Sequence, residues 1–221
     1  MADEDPALPT VLLTGFDPFG GHDDNPSHAV MRALDGRIVA GHRIVGHALP
    51  VVFGESLRAL RRAIRQARPA LVVCVGQAGG RANISLERVA INVDDARIPD
   101  NAGAQPVDRP VIAGGPSAYF TTLPVKAMLV AMTRAGIPVE VSQSAGTFVC
   151  NHVFYGLMHA LRRRKTVRGG FIHIPYSQVQ AACHPGQPGL PMDTMVEGVR
   201  IAVEAALSHP VDVAVAAGAE H

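Results

Sequence analysis

Apolar residues recur along the chain with two alternating periods. Continuous or β-branched runs fall at Val11-Leu12-Leu13-Thr14, Ile44 to Leu49, Ala70 to Val75, Val139 to Val141 and Phe171 to Ile174. Such runs suit strands buried on both faces. Between them lie segments with helical i, i+3, i+4, i+7 spacing. These are Val30, Met31 and Leu34 after Asn25-Pro26-Ser27; Phe53, Leu57, Leu60 and Ile64 with arginines opposite; Leu123 to Ala135; Val153, Phe154, Leu157, Met158 and Leu161 after Cys150; and Pro191 to Leu207. Strands alternating with helices predict an α/β fold, with a mostly parallel sheet and helices on both faces. One stretch differs. Ile84, Leu86, Val89, Ile91 and Val93 are mixed with polar residues and predict extended structure, as a hairpin or an excursion from the sheet. Arg97 to Pro116 is rich in Gly, Pro, Asn and Asp, which predicts a long loop of the kind that often carries function.

The chemical focus is Ser144 to Asn151. A strand runs into Gly146, and Thr147 is the expected N-cap of the next helix. Cys150 then lies in the first helical turn, where free N–H groups and the helix dipole favour a thiolate. The bland alternative is a small buried cysteine at a helix start. Ligands of open α/β sheets bind beyond the carboxyl ends of strands. Ends predicted at Gly15-Phe16, Gly76-Gln77, Ser142 to Cys150 and His173-Ile174-Pro175 converge on a pocket of Phe16, Phe19, Gln77, Phe148, Cys150 and His173. His173 is the candidate base: a right-handed crossover from the strand before Cys150 would bring its strand end alongside. A core histidine bonded to backbone is the alternative. Spacing does not select the third group among 19 carboxylates, although Glu87 sits in a stretch otherwise suited to burial. The Gly-rich Gly76 to Gly80 lacks both GxGxxG and GxxxxGK[ST], so it is no phosphate cradle of known spacing.

Composition narrows the classes. A chain of 221 residues fits one domain, expected at 10–208 with loose tails at 1–9 and 209–221. A net charge of +1 gives no electrostatic reason to expect nucleic acid or an anionic membrane as partner. Arg162-Arg163-Arg164-Lys165 is read as the solvated C-terminal turn of a helix. The N-terminus lacks the basic start and apolar core of a signal peptide, and no apolar run reaches the roughly 18 residues of a membrane span. Three cysteines without CxxC spacing suit a reducing, cytoplasmic compartment. The histidines show no zinc spacing; His152 and His159 share a helix face, but two ligands do not make a site.

Several blocks, in order, resemble the pyroglutamyl-peptidase I (pyrrolidone-carboxylate peptidase) family. They are Val11 to Gly21 with Asn25-Pro26-Ser27; Gly76 to Arg81 with Glu87-Arg88-Val89-Ala90-Ile91-Asn92; Ala96 to Asn101; Ala145 to Asn151; and Phe171 to Tyr176. The resemblance spans about residues 10 to 207, and the segment after Tyr176, with Cys183 and 184–191, matches poorly. It implies a three-layer α/β/α sandwich with a twisted, mostly parallel mixed sheet. It implies a cytoplasmic cysteine peptidase that removes an N-terminal pyroglutamyl residue from peptides through a thioester. The implied catalytic set is Glu87, Cys150 and His173. The implied substrate pocket is Phe16, Phe19, Asn25, Gln77, Ile98, Phe148 and Val149, with Arg97 helping on its polar side. No metal or organic cofactor is implied, and the implied assembly is a homotetramer. Two rival readings are a nucleoside- or phosphate-handling enzyme and a non-catalytic binding module on the same fold.

Overall fold

Apolar runs become strands and the 3.6-period segments become helices. The computed structural model describes residues 8–21 and 23–218, so residues 1–7 and 219–221 of the expected tails lie outside the described residues. In chain order the elements are β1 (Thr10–Phe16), α1 (Pro26–Leu34), β2 (Ile38–Val39), β3 (His42–Leu49), α2 (Glu55–Ala67) and β4 (Leu71–Gln77). Next come β5 (Ile84–Glu87), β6 (Val89–Ile91), β7 (Ala118–Phe120), α3 (Val125–Arg134), β8 (Val139–Ser142) and α4 (Val149–Leu161). The chain finishes with β9 (Arg168–Ile174), β10 (Tyr176–Ser177), α5 (Gln178–Ala182), β11 (Gly189–Leu190) and α6 (Met192–Ser208).

Seven strands form the central sheet in the order β2-β3-β1-β4-β9-β5-β8. Strands β3, β1, β4 and β9 run parallel, whereas β5 enters antiparallel to β9 and β8 lies parallel to β5. The sheet is therefore mostly parallel and mixed. Alternate residues feed two cores. Val11, Leu13, Val73, Leu86, Ile172 and Ile174 pack with residues of α1, α3 and α6. Leu12, Val72, Cys74 and Phe171 pack with residues of α2 and α4 on the other face. This makes three layers. Each fully buried Leu, Ile or Val contributes roughly 1.5–3 kcal/mol of transfer free energy, so both faces hold the sheet firmly.

One topological expectation is corrected. The crossover through α4 does not join neighbouring parallel strands, because β5 takes the place beside β9 and leaves β8 to pair outside it. β8 runs against β9, and its last residue, Ser142, is level with Glu87 and Phe171 rather than with the ends of β4 and β9. Residues 143–148 carry the chain from that level to the start of α4.

The mixed stretch after Ile84 does leave the sheet. β6 pairs with β7 in a separate antiparallel ribbon, and the loop between them closes through a bridge of Asp94 to Arg109. Helix α4 is tied to this excursion. Asn151 Nδ2 donates to the carbonyls of Ile91 and Val93, its Oδ1 accepts from Ile91 N–H, and Tyr155 Oη donates to Pro116 O. Residues 209–218 form no helix or strand, yet the Asp212 carboxylate accepts from Lys126 N–H and Ala127 N–H in the first turn of α3.

Candidate active site

Strand alternation gathers the chemistry on the face covered by α2 and α4. Glu87 stands opposite Phe171, and Ser85 opposite His173. On the other side of β9, Gly76 of β4 is the register partner of His173. Helix α4 lays Cys150 over this point: a Cβ at Gly76 would lie 2.8 Å from Cys150 Sγ and 2.8 Å from the Phe171 ring. Only glycine leaves room there for the sulfur to approach the sheet.

His173 Nδ1 lies 2.7 Å from Glu87 Oε1, with His173 3% and Glu87 0% exposed. A carboxylate accepts, so Nδ1 carries the proton and Nε2 keeps its lone pair. Burial pushes the Glu87 carboxyl up, but hydrogen bonds from His173 and Ser142 and the charge of Arg81 outweigh it and hold Glu87 below the usual carboxylate range. Burial pushes the His173 imidazole below its ordinary value, against the pull of Glu87. Burial and the nearby Glu87 charge push the Cys150 thiol up to about 12. Both shifts favour thiol and neutral imidazole over the ion pair.

One expectation about the helix start is corrected. The N-cap of α4 is Phe148, with no side-chain cap, and Thr147 instead donates its hydroxyl to Asp95 O at 2.7 Å. Cys150 does fall in the first turn, where its partial burial and the Glu87 charge oppose the dipole. Gly146, at φ +75°, supplies the left-handed turn before the cap.

A narrow cleft of about 20 Å³ lies beside the thiol, lined by Phe16, Phe19, Asn25, Val51, Gln77, Phe148, Val149 and Cys150. Phe148 has Phe19 on one side at 6.3 Å and Phe53 edge-on at 5.5 Å, centroid to centroid. Of the anticipated pocket, Phe16, Phe19, Asn25, Gln77, Phe148 and Val149 line it. Ile98 and Arg97 do not; both sit exposed in the loop after β6. Asn25 lines the cleft, but its side chain is engaged in capping α1. Oδ1 accepts from Ser27 N–H and Oγ–H, and Nδ2 donates to Asp17 O.

Sequence reasoning missed three contributors. Val51 follows β3, whose end lies beside that of β1, so the strand-end rule extended to β3 would have found it. Gln180 Nε2 donates to Gln77 Oε1 at 3.3 Å and to Asp24, turning the Gln77 NH₂ away from Gln180. Its signal was the capping box Ser177-x-x-Gln180, which opens α5. Arg81 donates from Nη1 to Glu87 Oε1 at 2.6 Å and from Nη2 to Ser144 O at 2.9 Å. His152 and His159, considered together as a ligand pair, are instead bonded separately, to Asp94 and to Tyr119.

A thiol over the sheet, a histidine–carboxylate pair on the adjoining strands and a small aromatic cleft on a three-layer α/β/α fold describe a cysteine peptidase. The comparisons are narrower. Residues 9–209 match the model of the pyroglutamyl peptidase family, and the chain belongs to it. It is 58% identical over 215 residues to pyrrolidone-carboxylate peptidase 1 of Ralstonia nicotianae, covering 97% of this chain and 100% of the relative. It is 60% identical over 216 residues to pyrrolidone-carboxylate peptidase of Cupriavidus taiwanensis, with the same coverage of both chains. Among solved structures, pyroglutamyl peptidase I from Bacillus amyloliquefaciens superposes with a TM-score of 0.92 at 47% identity, covering 95% of this chain and 100% of the other.

Proposed function

We propose that this chain hydrolyses the amide bond after an N-terminal pyroglutamyl residue of peptides, with Cys150 as nucleophile, His173 as base and acid, and Glu87 as its orienting carboxylate. Membership of the family makes it a pyroglutamyl peptidase, a hydrolase of the cysteine peptidase class. The observation that carries the residue assignment is the Cys150 sulfur lying over Gly76, next in register to His173, whose Nδ1 is held by Glu87.

As the peptide enters, His173 Nε2 takes the thiol proton while Sγ attacks the pyroglutamyl carbonyl carbon. Helix α4 opens with no side-chain cap, so its first-turn N–H groups are free to donate to the oxyanion. The imidazolium gives its proton to the leaving amine, and the C–N bond breaks to leave a thioester. Water, deprotonated by His173, then attacks the thioester carbon and releases pyroglutamate and thiol. With the neutral thiol and imidazole favoured, the ion pair forms during attack, and Glu87 stabilises the imidazolium.

The cleft supports selection by charge. Pyroglutamate carries a neutral lactam in place of an ammonium, and stripping water from an ammonium among Phe16, Phe19 and Phe148 is costly. An unpaired lactam N–H or C=O would cost on the order of 1–3 kcal/mol, so Gln77 and nearby backbone groups serve as partners. Cytoplasmic action and a homotetrameric assembly complete the reading. Among the described residues no helix is long and apolar enough to cross a membrane.

The test is release of a chromogenic amine from its pyroglutamyl amide by the reduced protein, beside the prolyl amide and a Cys150→Ser variant. Release from the pyroglutamyl amide alone, lost in the variant, is expected. A folded, reduced protein that binds the amide without turnover would leave a binding module instead.

A further inference from the structure

Glu87 receives two donors on one oxygen. His173 Nδ1 lies 2.7 Å and Arg81 Nη1 2.6 Å from Oε1, and the Ser142 hydroxyl also stabilises the carboxylate. A carboxylate held through one oxygen by a single partner can swing about its terminal bond, and the imidazole would swing with it. Two donors from different directions on that oxygen remove this freedom. The second arm of the same guanidinium, Nη2, holds the Ser144 carbonyl at 2.9 Å. Ser144 lies in the segment that turns through Gly146 and enters α4 at Phe148. Arg81 itself precedes β5 in the turn after β4, and its side chain is 27% exposed.

We propose that Arg81 is a positioning residue of the catalytic site, whose two-armed guanidinium locks the Glu87–His173 pair and the loop delivering Cys150 into one mutual geometry. The proposal rests on the Cys150–His173–Glu87 reading and extends it to a residue that acts through Glu87 and the Ser144 carbonyl. The planar fork is what the task needs. A lysine at this place can hold the carboxylate or the carbonyl as a point charge, but it cannot span both in fixed geometry.

The charge of Arg81 also reaches the reacting groups. The charged groups acting on His173 are Glu87 from β5, which favours imidazolium, and Arg81, which opposes it. Those acting on Cys150 are Glu87, Arg81 and Cys74 of β4; Cys74 is itself pushed up to about 12 and stays uncharged near neutrality. Removing the Arg81 charge therefore shifts His173 toward the protonated form, so the acid limb of activity moves to higher pH. Loss of a merely structural arginine would lower the folded fraction and leave that limb in place.

The experiment compares wild type, Arg81→Lys and Arg81→Gln by two measurements. The first is the pH profile of kcat and KM on the chromogenic pyroglutamyl amide. The second is an NMR titration of the His173 ring, which needs no turnover. Arg81→Gln is expected to lose on the order of 10²-fold in kcat, the cost of about 1 Å of misplacement, with KM within about 3-fold and the His173 titration moved upward. Arg81→Lys should keep the titration close to wild type while still losing about 10-fold in kcat, because the charge remains and the fork is gone. Wild-type kcat with an unmoved titration in Arg81→Gln overturns the proposal. So does a loss that merely follows the folded fraction with the titration unmoved. An inactive wild type whose His173 titration still moves in Arg81→Gln would instead retire the peptidase reading and leave the coupling of Arg81 to Glu87 and His173 intact.

Discussion

His152 and Asp94 meet at 2.8 Å, His173 and Glu87 at 2.7 Å, and in both pairs the carboxylate faces Nδ1 and both partners are buried. Locally these are the same motif. They differ at the other ring nitrogen. His152 Nε2 accepts from Gly54 N–H at 2.9 Å, so the ring is satisfied at both ends and joins α4 to the start of α2 and to the loop after β6. Among the described residues no backbone N–H bonds His173 Nε2 in this way, and the ring stands in register beside Gly76, over which Cys150 lies. A buried histidine–carboxylate pair is therefore not a catalytic signature by itself. What distinguishes the two rings is the second nitrogen, bonded to backbone in His152 and, in His173, left on a ring in register with the glycine under the Cys150 sulfur.

Four measurements can break or sharpen this contrast. The largest effect is expected for His173→Gln, which should lose on the order of 10⁴-fold in kcat/KM without unfolding, as loss of a general base does. A His173→Gln enzyme within 10-fold of wild type would end its assignment as base. Gly76→Ala comes next. Its new methyl meets Sγ and the Phe171 ring at 2.8 Å, and a nucleophile displaced by about 1 Å should cost on the order of 10²-fold in kcat. Ordinary kcat in that variant would mean that Cys150 need not sit against the sheet.

The pH profile is a smaller lever with a definite sign. The reactive form holds a neutral His173, and burial lowers its pKa below 6.5. As pH falls, kcat/KM should stay level through 6.5 and decline only below it, about tenfold per unit. Cys150, raised to about 12, should add no alkaline limb between pH 7 and 10. Stability should follow the same sign. Below pH 6.5 the unfolded chain binds a proton at His173 more readily than the native state, so this group weakens the fold as pH drops. A profile already half lost at pH 7 would contradict the neutral resting pair. The least effect on catalysis is expected for His152→Gln. It should keep kcat/KM within about 3-fold yet lose roughly 1–3 kcal/mol of stability, because Gly54 N–H and Asp94 lose a buried partner. Denaturant unfolding beside kinetics reads both, and a His152→Gln protein that is stable but inactive would make the two histidines equivalent after all.

Much of this was legible from residue order. The periodicity of Val11 to Thr14, Ala70 to Val75 and Phe171 to Ile174 gave strands, and Leu157, Met158 and Leu161 gave the face of α4, because burial of one stripe or one run leaves a local record. Asn25-Pro26-Ser27 marked a helix start through capping chemistry that involves only neighbours. The direction of β8 left no such record. A four-residue strand such as Val139-Glu140-Val141-Ser142 reads alike in either sense, and pairing with β5 rather than β9 is chosen by long-range contacts. Thr147 had the right chemistry for an N-cap, but Asp95, 52 residues away in sequence, took its hydroxyl.

The sequence by itself determined the α/β class, the two apolar faces and the presence of a cysteine at a helix start, since period, propensity and turn chemistry act over a few residues. It also carried, as ordered motifs, the family to which the chain belongs. Tertiary structure alone decided that Glu87 rather than another carboxylate faces His173, that Arg81 bridges Glu87 to the loop before Cys150, and that burial shifts the thiol and imidazole toward their neutral forms. Each depends on side chains distant in sequence meeting in a site that excludes water, and desolvation and charge coupling exist only once the chain has closed around them.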